Sequence, residues 1–292
     1  MPDALPWIRP YPSPGTSGRP AAGAGRWSVL FFPHSGGSAD SYRHLASHLS
    51  GDARTACVQY PGRAERHREP LFTDLHRLAD DVAPAFARWR GGDPVLIFGH
   101  SLGAAVAYEV VRRTADQGRL VLAVSGHPAP SHLALPFGRT TVSDEQVVHL
   151  VRELGGIDAE LLDHPLLRQL FLPVIRADLA AHARYRPGTP PGVRCPIVAL
   201  MGDRDPLTNP GSVQAWQELT RAPLRVHTLA GGHFFTNERP EEVAGILRLA
   251  MTFPTAAAPP SAEGSGAGAV GLPGRTPPHR CPPGARAGSN GP

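Results

Sequence analysis

The chain has 292 residues, 41% of them apolar, enough to bury the core of one large domain or two small ones. Its net charge of +4 and pI of about 9.3 would suit an acidic partner such as nucleic acid. The excess, however, lies at the two ends, because residues 1–26 and 254–292 each carry three arginines and one acidic residue. The central segment 27–253 is neutral, so we expect no nucleic-acid partner.

Three scattered cysteines, Cys57, Cys195 and Cys281, show no metal-ligand spacing. Their odd number argues against a disulfide framework and favours a reduced, cytoplasmic setting. The N-terminal residues lack the apolar segment of a signal peptide, and no apolar run approaches the ~20 residues that cross a bilayer. We therefore expect a cytoplasmic protein with no membrane partner.

The two ends of the chain are rich in proline and glycine. Residues 1–26 are predicted to be a flexible arm, and residues 254–292 a disordered tail with almost nothing to bury. Between them, apolar runs typical of β-strands alternate with helical patterns, which predicts a mainly parallel sheet covered on both faces. The predicted strands are 27–33, 54–61, 94–100, 120–126, 195–202 and 224–231. The predicted helices between them are 39–50, 73–90, 104–116, 210–221 and 239–252.

One long segment interrupts this alternation. Residues 131–186 separate two predicted strands, whereas a connection usually takes about 2–6 residues. The segment has helical patterns of its own at 144–154 and 166–185. This pattern predicts an inserted helical lid above the sheet, where such insertions often cover an active site.

A serine stands at the junction of a strand and a helix. Ser101 lies in the run Gly-His-Ser-Leu-Gly, directly after the predicted strand 94–100 and before an alanine-rich helix. The pattern Gly-x-Ser-x-Gly in that position is typical of a nucleophile elbow, a strained turn that exposes the serine hydroxyl. Gly99 and Gly103 would allow the backbone segments to cross closely. We therefore predict that Ser101 is a nucleophile.

A base and its orienting acid are expected in the order Ser, Asp, His. His233 lies in AGGHFF, after the last predicted strand and before the last helix, where the base belongs. The loop MGDRDP after the preceding strand offers two acids, Asp203 and Asp205. One would orient His233 and the other would serve the turn. We favour Asp205, at the tip of the loop.

An oxyanion hole requires two backbone N–H groups. One should come from Leu102, directly after the nucleophile, and the other from the loop after an early strand. The segment His34-Ser35-Gly36-Gly37 follows the first predicted strand, and its glycines let the backbone turn inward. We assign the second donor to the Ser35 amide.

Seven stretches in this order resemble the type II thioesterases, stand-alone hydrolases that serve polyketide synthases and nonribosomal peptide synthetases. The block beginning YPGR is the most specific of them, because general esterases lack it. Together the stretches span about residues 30–250: FFPHSGGSADSY, VQYPGRAERHREPLFTDLHRLADDVAPA, FGHSLGAAVAYEV, LVLAVSGHPAPSH, LLDHPLLRQLFLPVIRADLAAHARY, MGDRDP and GGHFF.

The resemblance implies an α/β-hydrolase fold in which Ser101, Asp205 and His233 form a catalytic triad. It implies that Ser35 and Leu102 supply the oxyanion amides, and that the inserted helices form a lid over a channel for the acyl group and phosphopantetheine. The implied reaction removes aberrant or stalled acyl groups from the phosphopantetheine arm of an acyl- or peptidyl-carrier protein. No metal or organic cofactor is implied, and we expect a monomer.

The chain departs from the family at two positions. The family often has alanine where Ser35 stands, which is harmless if only the backbone acts. It often has arginine near His127, so a contact made by that arginine is not carried over.

Three other functions remain open. A general carboxylesterase or lipase would share the elbow, a product-releasing or cyclising thioesterase would share the family, and an inactive hydrolase fold could serve as a binding module. The YPGR block disfavours the first, and the complete Ser/Asp/His set disfavours the last.

The arginines at 63, 66 and 68 could meet an acidic carrier protein or its phosphate. Because Glu65 and Glu69 alternate with them, we expect a solvated face instead.

Overall fold

The computed structural model describes residues 7–12, 27–133, 143–155, 162–188 and 192–254. All of them belong to one compact unit, Met1–Ala258. Except for Pro254, the predicted disordered tail lies outside the described residues, as does most of the predicted arm.

The described residues form seven strands, joined mainly by helices. The strands are β1 (Ile8–Pro10), β2 (Trp27–Phe32), β3 (Ala53–Val58), β4 (Val95–His100), β5 (Leu120–Ser125), β6 (Ile197–Gly202) and β7 (Leu224–Leu229). The helices are α1 (Arg43–Ser47), α2 (Leu75–Arg90), α3 (Leu102–Arg112), α4 (Asp144–Leu154), α5 (Pro165–Arg184), α6 (Pro210–Gln214), α7 (Phe235–Glu238) and α8 (Pro240–Ala250).

The strands form one sheet in the order β1-β3-β2-β4-β5-β6-β7. Every neighbouring pair is parallel except β1 and β3, which are antiparallel. The apolar run 95–98 is completely buried, as expected for a central parallel strand that is covered on both faces. The prediction of a mainly parallel, doubly covered α/β sheet is confirmed.

Part of the predicted flexible arm is an ordered edge strand. Ile8 pairs with Val58 and Pro10 with Ala56, so β1 extends the sheet beyond β3. Ile8 and Tyr11 are both buried, each with 8% of its surface exposed, and their apolar burial helps to offset the entropy cost of ordering this segment. For these residues the prediction of a loose arm was wrong.

Two apolar layers cover the sheet. On one face, the buried sides of α2 and α3 pack against the strands, with Leu78, Val82 and Val106 among the contacts. On the other face, α1 and α8 bury residues such as Leu45 and Leu247. Helices α4 and α5 form a third apolar cluster of their own within the predicted insertion.

The parallel arrangement brings four loops to one edge of the sheet. The loops after β2, β4, β6 and β7 contain Ser35, Ser101, Asp205 and His233. In open α/β sheets, ligands bind beyond the carboxyl ends of the strands.

Among the described residues, no helix is long and apolar enough to cross a membrane.

Candidate active site

Ser101 occupies a strained turn between β4 and α3. Its φ of 53° and ψ of −127° lie in a region that residues other than glycine rarely adopt. A Cβ on Gly99 would lie 2.3 Å from the Gly103 carbonyl oxygen, and one on Gly103 would lie 2.1 Å from that of Phe32. Only glycine fits at either position, so the turn has the geometry expected of a nucleophile elbow.

His233 and Asp205 meet in a buried pair. The His233 Nδ1 and Asp205 Oδ2 atoms are 3.0 Å apart, and their side chains are 1% and 0% exposed. The second carboxylate oxygen accepts a bond of 2.9 Å from the Leu207 N–H. Because an ionised carboxylate only accepts, Nδ1 of His233 carries the proton and a neutral ring has its lone pair on Nε2.

Asp203 has a different partner. Its Oδ1 accepts a hydrogen bond of 2.8 Å from the Gly231 N–H, linking the loops after β6 and β7. The geometry therefore separates the two acids that the sequence left open. Asp205 contacts His233, and Asp203 holds the loop that leads to it.

The buried Nε2 atom of His233 has no hydrogen-bond partner within the described chain. Ser101 and His233 nevertheless line the same cavity. A bond between nucleophile and base is often long before substrate binds and shortens in the complex, so the arrangement is compatible with proton transfer.

Of the two predicted oxyanion donors, Ser35 lines this cavity and Leu102 directly follows Ser101, which also lines it. Leu102 is the first residue of α3, where a backbone N–H has no intrahelical partner. Ser35 lines the cavity with Ser101 and His233, and its own buried hydroxyl has no hydrogen-bond partner among the residues that the structure describes. Both positions suit an amide that points toward a reacting carbonyl.

The cavity at Ser101 is small and mainly apolar, with a volume of about 50 Å³. Its walls include Leu150 and Val151 from α4 and Ile175 and Leu179 from α5. The predicted insertion thus contributes one side of the cavity. A larger cavity of about 650 Å³ shares His34 with it and is also lined by Leu170, Phe171 and Val174 of α5.

A group of four histidines, three of them buried, surrounds His233, and sequence reasoning missed most of it. His127 and His182 face each other with their Nε2 atoms 2.9 Å apart, and both line the cavity. Burial lowers the pKa of His34 to about 3 and that of His127 to about 4. Burial also holds the pKa of His100 and His182 well below the usual value, so these rings are neutral at pH 7.

The expectation of a solvated arginine face was wrong for two of its three members. Arg63 and Arg66 are each 5% exposed, and only Arg68 is open to solvent. Arg63 pairs with Asp178 of α5, and Arg66 pairs with Glu69. The sequence showed only the local alternation of charge, whereas the Arg63 partner lies 115 residues away.

A family model and a known protein that match this chain are both thioesterases. The family model described as the thioesterase domain matches residues 28–250. Thioesterase PikA5 of Streptomyces venezuelae is 33% identical over 245 residues, which cover 82% of this chain and 84% of that protein.

Solved structures are similar over nearly their whole length. The type II thioesterase BorB from the borrelidin biosynthetic cluster is 38% identical, with a TM-score of 0.72, covering 85% of this chain and 98% of BorB. RedJ, a thioesterase from the prodiginine pathway of Streptomyces coelicolor, is 32% identical, with a TM-score of 0.70 and coverage of 82% and 92%. The resemblance inferred from the motifs is thereby confirmed.

Proposed function

Because the chain belongs to the thioesterase family, we propose that it hydrolyses acyl groups from the phosphopantetheine arm of a carrier protein. Members of this family are hydrolases that act on thioesters, and the similar proteins BorB and RedJ belong to biosynthetic pathways. We further propose that it acts as an editing enzyme that removes aberrant or stalled acyl groups. The observation that carries the proposal is the buried His233–Asp205 pair, whose histidine lines one cavity together with Ser101.

The reaction begins at the thioester carbonyl. The Ser101 hydroxyl oxygen attacks the carbonyl carbon while His233 Nε2 takes the hydroxyl proton. Asp205 keeps the proton of Nδ1 in place and stabilises the positive ring that forms. The amides of Ser35 and Leu102 bind the oxyanion of the tetrahedral intermediate.

Two steps then restore the enzyme. The carbon–sulfur bond breaks, and the leaving sulfur takes the proton from His233, which leaves the acyl group on Ser101. A water molecule attacks this ester, and His233 Nε2 accepts the water proton and returns it to the serine oxygen. The products are a free carboxylic acid and the free thiol of the carrier arm.

The larger cavity suits the arm of a carrier protein. It is lined by Gly36, Arg63 and Phe171, and it extends beside Leu170, which is 60% exposed. An apolar surface at the mouth of a cavity is a common feature of protein-interaction sites.

We propose that the enzyme works as a cytoplasmic monomer, with neither a nucleic acid nor a membrane as partner.

The test compares one propionyl group on three leaving groups: a carrier protein, coenzyme A and nitrophenol. Binding of the carrier should orient the carbonyl against Ser101, so we expect the highest kcat/KM on the carrier. Ser101→Ala should abolish turnover while the melting temperature stays close to that of the wild type. Equal rates on carrier and coenzyme A would contradict carrier editing, and a preference for long oxygen esters would indicate an esterase.

A further inference from the structure

A buried ion pair joins the inserted helix α5 to the hydrolase core. Arg63 follows β3, and Asp178 lies in α5. The Arg63 Nη1 atom is 2.5 Å from Asp178 Oδ2, and Nη2 is 2.8 Å from Oδ1, a bidentate arrangement. The side chains are 5% and 0% exposed. Among the described residues, every other arginine–carboxylate pair has at least one partly exposed member.

The same carboxylate also holds the oxyanion loop. Asp178 Oδ2 accepts a hydrogen bond of 2.8 Å from the Gly36 N–H. One turn earlier on α5, Ile175 packs directly on Gly36. A Cβ atom added to Gly36 would lie only 2.6 Å from Cγ1 of Ile175. Gly36 has a φ of +79°, and only glycine combines that conformation with this contact. Helix α5 therefore contacts the loop at two points.

The Gly36 amide, which donates to Asp178, directly follows the Ser35 amide, the proposed oxyanion donor. Peptide units are planar, so the unit containing the Gly36 N–H and the one containing the Ser35 N–H are related only by φ and ψ of Ser35. Fixing the direction of the Gly36 N–H therefore restricts the direction of the Ser35 N–H. A displacement of about 1 Å at a reacting group can cost about 10²-fold in rate, so this restriction matters for catalysis.

Stability alone does not account for the pair. Burying two charges costs free energy that their attraction recovers only in good geometry, and apolar residues of similar size often serve equally well. What apolar residues could not supply here is the acceptor for the Gly36 N–H and its fixed orientation. Arg63 donates to both oxygens of that carboxylate, and its Nη1 atom also lies 3.5 Å from the Gly37 carbonyl oxygen.

We propose that Arg63 and Asp178 are positioning residues that align the Ser35 amide when α5 lies against the core. The closed lid thereby completes the oxyanion hole, and a lid that moves away takes the Asp178 acceptor with it. Hydrolysis is then coupled to lid closure. This inference rests on the proposed function, because it assumes that Ser35 serves the thioester reaction.

The test uses two double variants that differ in one hydrogen-bond acceptor. Both carry Arg63→Met, which removes the charge. One adds Asp178→Asn, which keeps an oxygen for the Gly36 N–H, and the other adds Asp178→Leu, which has a similar size and no acceptor. We expect the leucine variant to be at least as stable as the wild type. Relative to the wild type it should lose about 10²-fold in kcat, with little change in KM. The asparagine variant should recover much of that loss.

A matched control removes the other buried arginine of the same segment. Arg66 pairs with Glu69 and donates to the Gln59 carbonyl, without a bond to the oxyanion loop. Arg66→Met with Glu69→Gln should lower the melting temperature and leave kcat unchanged. The pH profile of kcat/KM should keep its wild-type midpoint in both Arg63→Met variants, because the His233–Asp205 pair is untouched.

Three results would overturn the inference. They are equal kcat in the leucine and asparagine variants, a kcat that follows the melting temperature across all variants, and a shifted pH midpoint. If the leucine variant does not fold, Arg63→Met with Asp178→Ala, which also lacks an acceptor for the Gly36 N–H, takes its place. A kcat equal to that of the asparagine variant would again overturn the inference. Wild-type protein that hydrolyses no acyl thioester would contradict the proposed function instead.

Discussion

Two aspartates of one loop were candidates for the acid that orients His233, and one hydrogen bond of each distinguishes their roles. Asp205 accepts from the His233 ring, whereas Asp203 accepts from the Gly231 backbone. Asp205→Asn would place an amide donor against Nδ1 and favour the tautomer whose Nε2 carries the proton. Turnover should fall by up to about 10⁴-fold, the scale for loss of a triad acid.

Asp203→Asn is the matched control for that substitution. Its side-chain carbonyl can still accept from the Gly231 N–H, so turnover should remain within a few-fold of the wild type. Single-turnover acylation measured on both variants provides the comparison. If Asp203→Asn were the more damaging change, the orienting acid would have been assigned wrongly.

Sequence reasoning at this scale succeeds where a motif fixes a local conformation. Ser101 and His233 follow strand ends that the apolar pattern marks, so their convergence could be expected. The bonds of Arg63 could not be expected. Its partner Asp178 lies 115 residues away in an inserted helix whose packing has no local signature.

Among the elements, α4 and α5 supply four apolar residues to the wall of the cavity beside Ser101. Leu150 and Val151 of α4, with Ile175 and Leu179 of α5, line this space of about 50 Å³. Since a single water molecule needs a cavity of roughly 10–15 Å³, the space suits a short acyl group. We expect kcat/KM to decrease steeply from propionyl to octanoyl thioesters.

Two valines of α4 offer a direct test of that limit. Val151 lines the cavity, whereas Val147, one turn earlier and completely buried, packs within the α4–α5 cluster. Val151→Ala should enlarge the cavity and raise the octanoyl-to-propionyl ratio of kcat/KM. Val147→Ala should cost about 1 kcal/mol or more in stability without altering that ratio. An unchanged ratio in both variants would show that the cavity does not limit chain length.

The predicted elements were accurate where apolar periodicity is strong. All six predicted strands and the helix 144–154 are present, and the predicted helix 166–185 is α5. Two predicted helices, 39–50 and 210–221, are each divided between a short α-helix and a 3₁₀ turn. The edge strand β1 was missed because three residues show no periodicity and their pairing depends on the distant β3.

At the scale of the whole molecule, buried histidines make stability depend on pH. His100, His127 and His182 are buried in the folded chain and His34 is half-buried, and burial lowers the pKa of each. Unfolding exposes them to water, where a histidine titrates near pH 6.5. Between that pH and the lower folded values, the unfolded chain binds more protons. The free energy of unfolding therefore falls as pH decreases below about 6.5.

The window from pH 6.5 to 5 isolates this effect, because most carboxylates remain ionised there. Each histidine that stays neutral in the folded chain should add up to about 1.4 kcal/mol per pH unit to the slope. His182→Gln removes one such group and keeps an N–H donor for His127, so its slope should be smaller than that of the wild type. His132→Gln changes an exposed side chain and should leave the slope unchanged. Urea unfolding of the three proteins across the window measures the slopes. A flat wild-type curve would contradict the neutral burial of these rings.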